Sequence, residues 1–162
     1  MHLAQLNIGE VLFPTDDPRM AGFTDRIDVV NALADRADGF IWRMVDDTSD
    51  TDGALDLRLP GAADTLVNMS VWRDVESLYQ YVYKTAHAKV MRDRADWFVP
   101  LKTRHMVLWW VPEGHIPDLT EARDKLEHLK ANGPTPHAFD FDSPFDGAGA
   151  PIISVFPKKD CA

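Results

Sequence analysis

The sequence holds one cysteine, Cys161, a single residue from its end. One cysteine closes no internal disulfide, and nothing beside it completes a metal-ligand pattern. A reducing compartment, the cytoplasm, is the simplest setting. Positive charge is scarce as well: 17 Lys and Arg against 26 Asp and Glu, a net charge of −9. Nucleic acid and anionic membrane both call for a basic footprint, so neither is an expected partner. No apolar run nears the roughly 20 residues of a membrane span. The opening MHLAQLNIGEVLF lacks the basic leader and apolar stretch of a signal peptide. There is no internal repeat, no Gly-rich phosphate loop, no nucleophile elbow and no helical His pair at i,i+4 spacing. The acidic stretch DDTSDTDG lacks the glycine-and-closing-glutamate spacing of a calcium loop, so no metal is expected.

What is present fits one domain. At 162 residues with 45% hydrophobic content, a chain buries roughly 70% of its unfolded surface without staples. Residues 3–12 alternate in the manner of a strand, with Leu3, Gln5 and Asn7 on one side and Ala4, Leu6 and Ile8 on the other. Pro14 and Pro18 break it, and Asp16 and Asp17 are candidate caps. The spacing of Phe23, Ile27, Val30, Leu33 and Ala34 predicts a helix over 20–37, ended by Asp38-Gly39. FIWRMV (40–45) is a second strand. Residues 46–64 read as a loop or a distorted hairpin.

TLVNMSVW (65–72) is a third strand. The stripe Val75, Leu78, Tyr79, Val82, Tyr83, Ala86, Val90 and Trp97 predicts one long helix over 75–98. HMVLWWV (105–111) is almost continuously apolar and reads as a central strand covered on both faces. Leu119 to Asn132 is a last helix, with Ala122, Leu126 and Leu129 inward and Gly133 at its stop. Domain 1–133 then gives way to a Pro- and Gly-rich arm, 134–162. Its Phe139, Phe141, Ile152, Ile153, Val155 and Phe156 are too apolar for a solvated tail. The order β-α-β-β-α-β predicts an α+β, ferredoxin-like antiparallel sheet plus a C-terminal helix and arm. Two helices on one face leave the other bare, and a homodimer with facing sheets would cover it.

Several side chains are candidates for chemistry. His87 lies beside the apolar stripe of the long helix, and His serves as base, acid or ligand near neutral pH. Asn7 and Asn68 sit on strands where an apolar residue would cost less, so each needs a partner or a ligand. Such amides suit a developing oxyanion. Arg43 could pair with a substrate carboxylate or phenolate, although a salt bridge to one of the many acids is the ordinary alternative. Trp72, Tyr83, Met91 and Trp110 could line a hydrophobic pocket, although aromatics at strand positions are more often plain core. The expectation is an enzyme with a flat, hydrophobic small-molecule substrate and no cofactor. His87, Asn7 and Asn68 would act on it, and Arg43, Trp72, Tyr83, Met91 and Trp110 would bind it. A non-catalytic dimer that binds a metabolite is the alternative of another class.

A resemblance adds to this. VNALADRADGFIWR, NMSVWRDVESLYQYVYKTAH, DRADWF, MVLWWVPEGHIP and LEHLKANGPTPHAF together resemble an uncharacterised bacterial family placed with the antibiotic-biosynthesis-monooxygenase-like superfamily. That resemblance implies a dimeric α/β barrel. The superfamily spans cofactor-free monooxygenases, isomerases, dehydratases and haem-degrading oxygenases, so no one reaction is implied. YVYKTAHAKV is similar to the haem-ligating helix of the haem-degrading members, which implies haem on His87 as an alternative, with Asn7 beside it. The tryptophan those enzymes carry before the histidine is replaced here by Ser77.

Overall fold

A computed structural model describes residues 1–45, 63–85 and 93–153 of the chain. The acidic stretch 46–62, expected to be a loop or hairpin, and the residues beyond Ile153, with Val155, Phe156 and Cys161, lie outside the described residues. The fold is α+β. Its four strands are β1 (His2–Val11), β2 (Phe40–Arg43), β3 (Asp64–Trp72) and β4 (Met106–Val111). Three described helices accompany them: α1 (Ala21–Asp35), α2 (Val75–Lys84) and α3 (Leu119–Asn132). The sheet order is β2-β3-β1-β4, and every neighbouring pair is antiparallel.

The alternation of β1 decides where each face goes. Ala4, Leu6 and Ile8 share one cluster with Val67, Met69, Val71, Val107, Trp109 and Val111. Ala122, Leu126 and Leu129 of α3 close over that cluster, and none of these side chains is more than 3% exposed. Burying a leucine stabilises by roughly 1.5–3 kcal/mol, so α3 is held mainly by its apolar stripe. Asp118 caps its start through the Glu121 N–H at 2.8 Å, and Gly133 ends it at a φ of 71°.

This corrects one expectation. The sheet face expected to be bare is covered by α3 of the same chain. Facing sheets are therefore not needed to keep that face from water.

The other face packs under α1 and α2. Leu3, Trp72 and Leu108 meet Ala34 of α1 and Val75, Leu78, Tyr79 and Tyr81 of α2. The arm adds Phe139 and Phe141 to the same cluster, as its apolar content predicts, but Ile153 is 93% exposed. Phe139 exchanges backbone hydrogen bonds with Leu108 at 2.8 and 2.9 Å. β4 is thus an edge strand whose outer rim the arm partly closes, whereas its apolar run predicts a central position. Burial on both faces comes from α3 and the arm, and not from flanking strands.

The helix predicted over 75–98 stops at Lys84. Asp74 caps its start, accepting from the Ser77 N–H at 2.8 Å. At its end Thr85 is extended (φ −111°, ψ −174°) and its hydroxyl donates to the Tyr81 carbonyl at 2.6 Å. A threonine hydroxyl that bonds four residues back competes with the helical ladder. Trp97 and Phe98 leave the helical stripe altogether. Trp97 joins Val11 and Met20 in a third cluster, and Phe98 bridges to Val11 of β1.

Candidate functional site

On the α1/α2 face, directly opposed residues form rows across the sheet. Phe40, Trp72, Leu3 and Trp110 make an apolar row. Beside it run Arg43, Ser70, Gln5 and Leu108, then Asn68, Asn7 and Met106, and last Leu66 and Gly9. Two of these rows put polar side chains in the middle of an otherwise apolar face. The pairing Asn7↔Asn68 sets the two predicted amides side by side, as directly opposed residues of an antiparallel pair.

Gln5 ties these rows together. Its Nε2 donates to Asn68 Oδ1 at 2.7 Å and to Ser70 Oγ at 2.9 Å. Trp72 Nε1 donates to the same Ser70 Oγ at 2.8 Å. Gln5 and Ser70 are buried, Asn7 is half-buried and Asn68 is exposed. The network is therefore anchored in the interior and ends at an accessible amide. The Asn7 side chain makes no hydrogen bond to a described residue.

Apolar walls stand on either side. Tyr79, Tyr83 and Phe141 form an aromatic trio, with centroid distances of 4.6 Å, 5.9 Å and 5.7 Å, and Met106 packs in their cluster. Across the rows, the Phe98 ring lies on Gly9. A Cβ at Gly9 would sit 2.7 Å from it, so a glycine is needed for this close approach.

The other predicted site residues fall into place as follows. Trp72 is core: it is 1% exposed, stacked on Tyr81 at 5.0 Å and edge-on to Phe40 at 5.4 Å. Trp110 is half-buried under the arm, with its Nε1 donating to the Phe145 carbonyl at 2.8 Å. Arg43 shares the face, but its guanidinium forks onto Asp35 at 2.8 and 3.2 Å. That bond holds the Asp35 carboxyl below the usual range and raises Arg43. The ordinary alternative thus applies to Arg43 and Trp72. His87 and Met91 lie outside the described residues.

Tyr81 was missed by the stripe reasoning. Burial pushes its phenol up to about 12, and its hydroxyl donates to the Val30 carbonyl at 3.1 Å. It joins α2 to α1 and does not titrate near neutral pH. Ser77, where the resemblance to haem-degrading enzymes would ask for a tryptophan, faces the α1–β2 turn. A Cβ at Gly39 would collide with it, so a tryptophan has no room there. Gln5 and Ser70 were also missed as site residues. Their signal was present, since Gln5 shares the alternation phase of Asn7. Glu10 is a further surprise: it is 1% exposed on the α3 face and accepts from Thr65 Oγ1 at 2.8 Å.

A groove of about 430 Å³ lies elsewhere, between the α1–β2 turn and the outer side of α2. Arg73 lines it and is spent on Asp38, Asp74 and Ser77. Among the described residues, no group of three or more His, Cys, Asp and Glu side chains could hold a metal ion. No described helix is long and apolar enough to cross a membrane.

Comparison with known proteins bears on the family. No curated protein matches the chain. The crystal structure of NE2512, a protein of unknown function from Nitrosomonas europaea, is similar over 72% of this chain and 95% of its own, at 14% identity and a TM-score of 0.46. Residues 2–153 match the family described as Domain of unknown function (DUF3291), and the chain belongs to that family.

Proposed function

We propose that the α1/α2 face of the sheet is a small-molecule site, with the Asn7–Asn68 row as its polar centre. A flat, hydrophobic ligand would pack between the Tyr79–Tyr83–Phe141 trio and Phe98, with an oxygen over the two amides. One observation carries this reading. Two asparagines stand directly opposed on an apolar face, and a buried glutamine and serine hold one of them in place. Asn7 is half-buried and makes no hydrogen bond to a described residue, and a ligand that bonds it explains its place on this face.

The chemistry that suits the arrangement is cofactor-free oxygenation or a proton-transfer step such as isomerisation, cyclisation or dehydration. The amides would stabilise an oxyanion, and His87 would be acid or base. The role of His87 rests on the sequence alone. The strand order β2-β3-β1-β4, antiparallel throughout, supports the ferredoxin-like and monooxygenase-like reading. Because α3 covers the opposite face, a homodimer would pair through another surface. The haem alternative rests on His87 and Asn7, and Ser77 speaks against it.

The test is a thermal-shift screen of planar aromatic compounds against wild type, Asn7→Leu and Asn68→Leu. Hits should stabilise wild type and lose their effect in both variants. Equal stabilisation of all three proteins would sink the proposal. A Soret band that disappears in His87→Ala would favour haem instead.

A further inference from the structure

We infer that Gln5 sets the polarity of this site, turning the Asn68 amide nitrogen toward the ligand, so that the site takes an uncharged aromatic carbonyl compound and not a carboxylate. This rests on the small-molecule reading above and adds its substrate class. Gln5 itself touches no ligand; it is a positioning residue.

The hydrogen-bond count gives the direction. An amide has one acceptor end and one donor end. Gln5 Nε2 occupies Asn68 Oδ1 from below at 2.7 Å, so the Asn68 NH₂ is the end left for the accessible side. Gln5 is buried, and its Nε2 also donates to Ser70 Oγ, which accepts from Trp72 Nε1 as well. The accessible end of the network is therefore a hydrogen-bond donor, and its natural guest is an acceptor.

Charge then decides which acceptor. A carboxylate in a partly buried site calls for a cation or an equal number of strong donors. Arg43 is the cation on these rows, and its fork is committed to Asp35 at 2.8 and 3.2 Å. The remaining described polar groups on these rows, Asn7, Gln5, Asn68 and Ser70, are neutral. The chain as a whole carries a net charge of −9, which further opposes an anion. A neutral carbonyl on an aromatic ring meets each condition. It accepts from the Asn68 NH₂, and its ring packs on the Tyr79–Tyr83–Phe141 wall.

Three probes of one shape separate the possibilities: 2-acetylnaphthalene, 2-naphthoate and 2-isopropylnaphthalene. Affinity is read by titration of the full-length protein, with the ¹⁵N–¹H side-chain amide signals followed in parallel. Acetylnaphthalene should bind about tenfold tighter than the other two, the size of one oriented hydrogen bond. Asn68→Asp keeps the acceptor for Gln5 and removes the donor, so it should abolish that preference at an exposed position that tolerates change. Gln5→Met should reduce the preference for the ketone over the isopropyl compound and leave binding of the isopropyl compound unaltered. A purely structural role for Gln5 would shift both alike, which would overturn the inference.

Naphthoate binding as tightly as the ketone would also overturn it while leaving the site intact. Failure of all three probes to move the Asn7 and Asn68 signals would remove the site itself. Without any ligand, Gln5 NH₂ should be protected from solvent exchange and Asn68 NH₂ should exchange fast. The reverse pattern would show the network running the other way.

Discussion

The two faces of the sheet follow different rules. The α3 face is filled by Ala4, Leu6, Ile8, Val67, Met69, Val71, Val107, Trp109 and Val111, and a helix seals it. The α1/α2 face begins the same way, with Leu3, Trp72 and Leu108, and is then interrupted by Gln5, Ser70, Asn7 and Asn68. Both faces belong to the same strands and share one backbone twist. The difference lies in what side chains were admitted. The α3 face keeps its buried polar pair, Glu10 and Thr65, at one end, whereas the α1/α2 face carries polar side chains in its middle rows, and the proposed site gives those a second task.

Substitutions can sharpen that contrast. The largest effect should come from the sealed face. Leu126→Ala removes a side chain that is 1% exposed, and the cavity should cost about 2–5 kcal/mol. Urea denaturation measures it, and a loss under 1 kcal/mol would mean that α3 does not hold that face. The next is Gly9→Ala on the other face. Its new methyl would sit 2.7 Å from the Phe98 ring, so about 1–3 kcal/mol should be lost through overpacking. Phe98→Leu in the same chain should restore part of it.

Alkaline pH should follow. The folded Tyr81 phenol is raised to about 12 from the ordinary 10.0. Its neutral form is therefore favoured by folding. That contribution is complete below pH 10 and is lost as pH rises toward 12, roughly 2–3 kcal/mol in all. Tyr81→Phe should flatten this part of the stability profile, and an unchanged slope would place the titration elsewhere.

The smallest effect belongs to Asp35 and Arg43. The carboxyl is lowered in the fold by the Arg43 hydrogen bond. Its contribution is present above the ordinary carboxylate range and is lost as pH falls through the folded value. The pair is partly exposed, with 43% of the Asp35 side chain accessible, so Asp35→Asn should cost no more than about 0.5 kcal/mol. The informative readout for that variant is the site. Freeing Arg43 should raise the affinity for 2-naphthoate if the guanidinium lies within reach of the rows.

Much of this was legible in the residues. Period-two alternation placed the strands to within a residue or two, and α3 with its buried Ala122, Leu126 and Leu129 read directly from its stripe. Asn7 and Asn68 stood out because amides are costly on strands, and register then paired them. Other features depended on contacts far apart in sequence. The stop of α2 at Thr85, whose backbone is extended and whose hydroxyl bonds the Tyr81 carbonyl, is not encoded in helix periodicity. The edge position of β4 was hidden because α3 and the arm bury it as fully as flanking strands would. For the same reason the bare face was expected, since α3 carries no mark of which surface it covers. Gln5 was seen on the phase of Asn7 but passed over, because a lone polar residue acquires meaning only from Asn68 and Ser70 across the ladder.

The most direct measurement is the side-chain amide spectrum during a titration with 2-acetylnaphthalene. The sequence contains four asparagines, Asn7, Asn31, Asn68 and Asn132, and two glutamines, Gln5 and Gln80, so every signal can be assigned. We expect Asn7 and Asn68 to move together and saturably while Asn31, Asn132 and Gln80 stay in place. Saturable movement at those other amides, with Asn7 and Asn68 unmoved, would contradict a site on the polar rows.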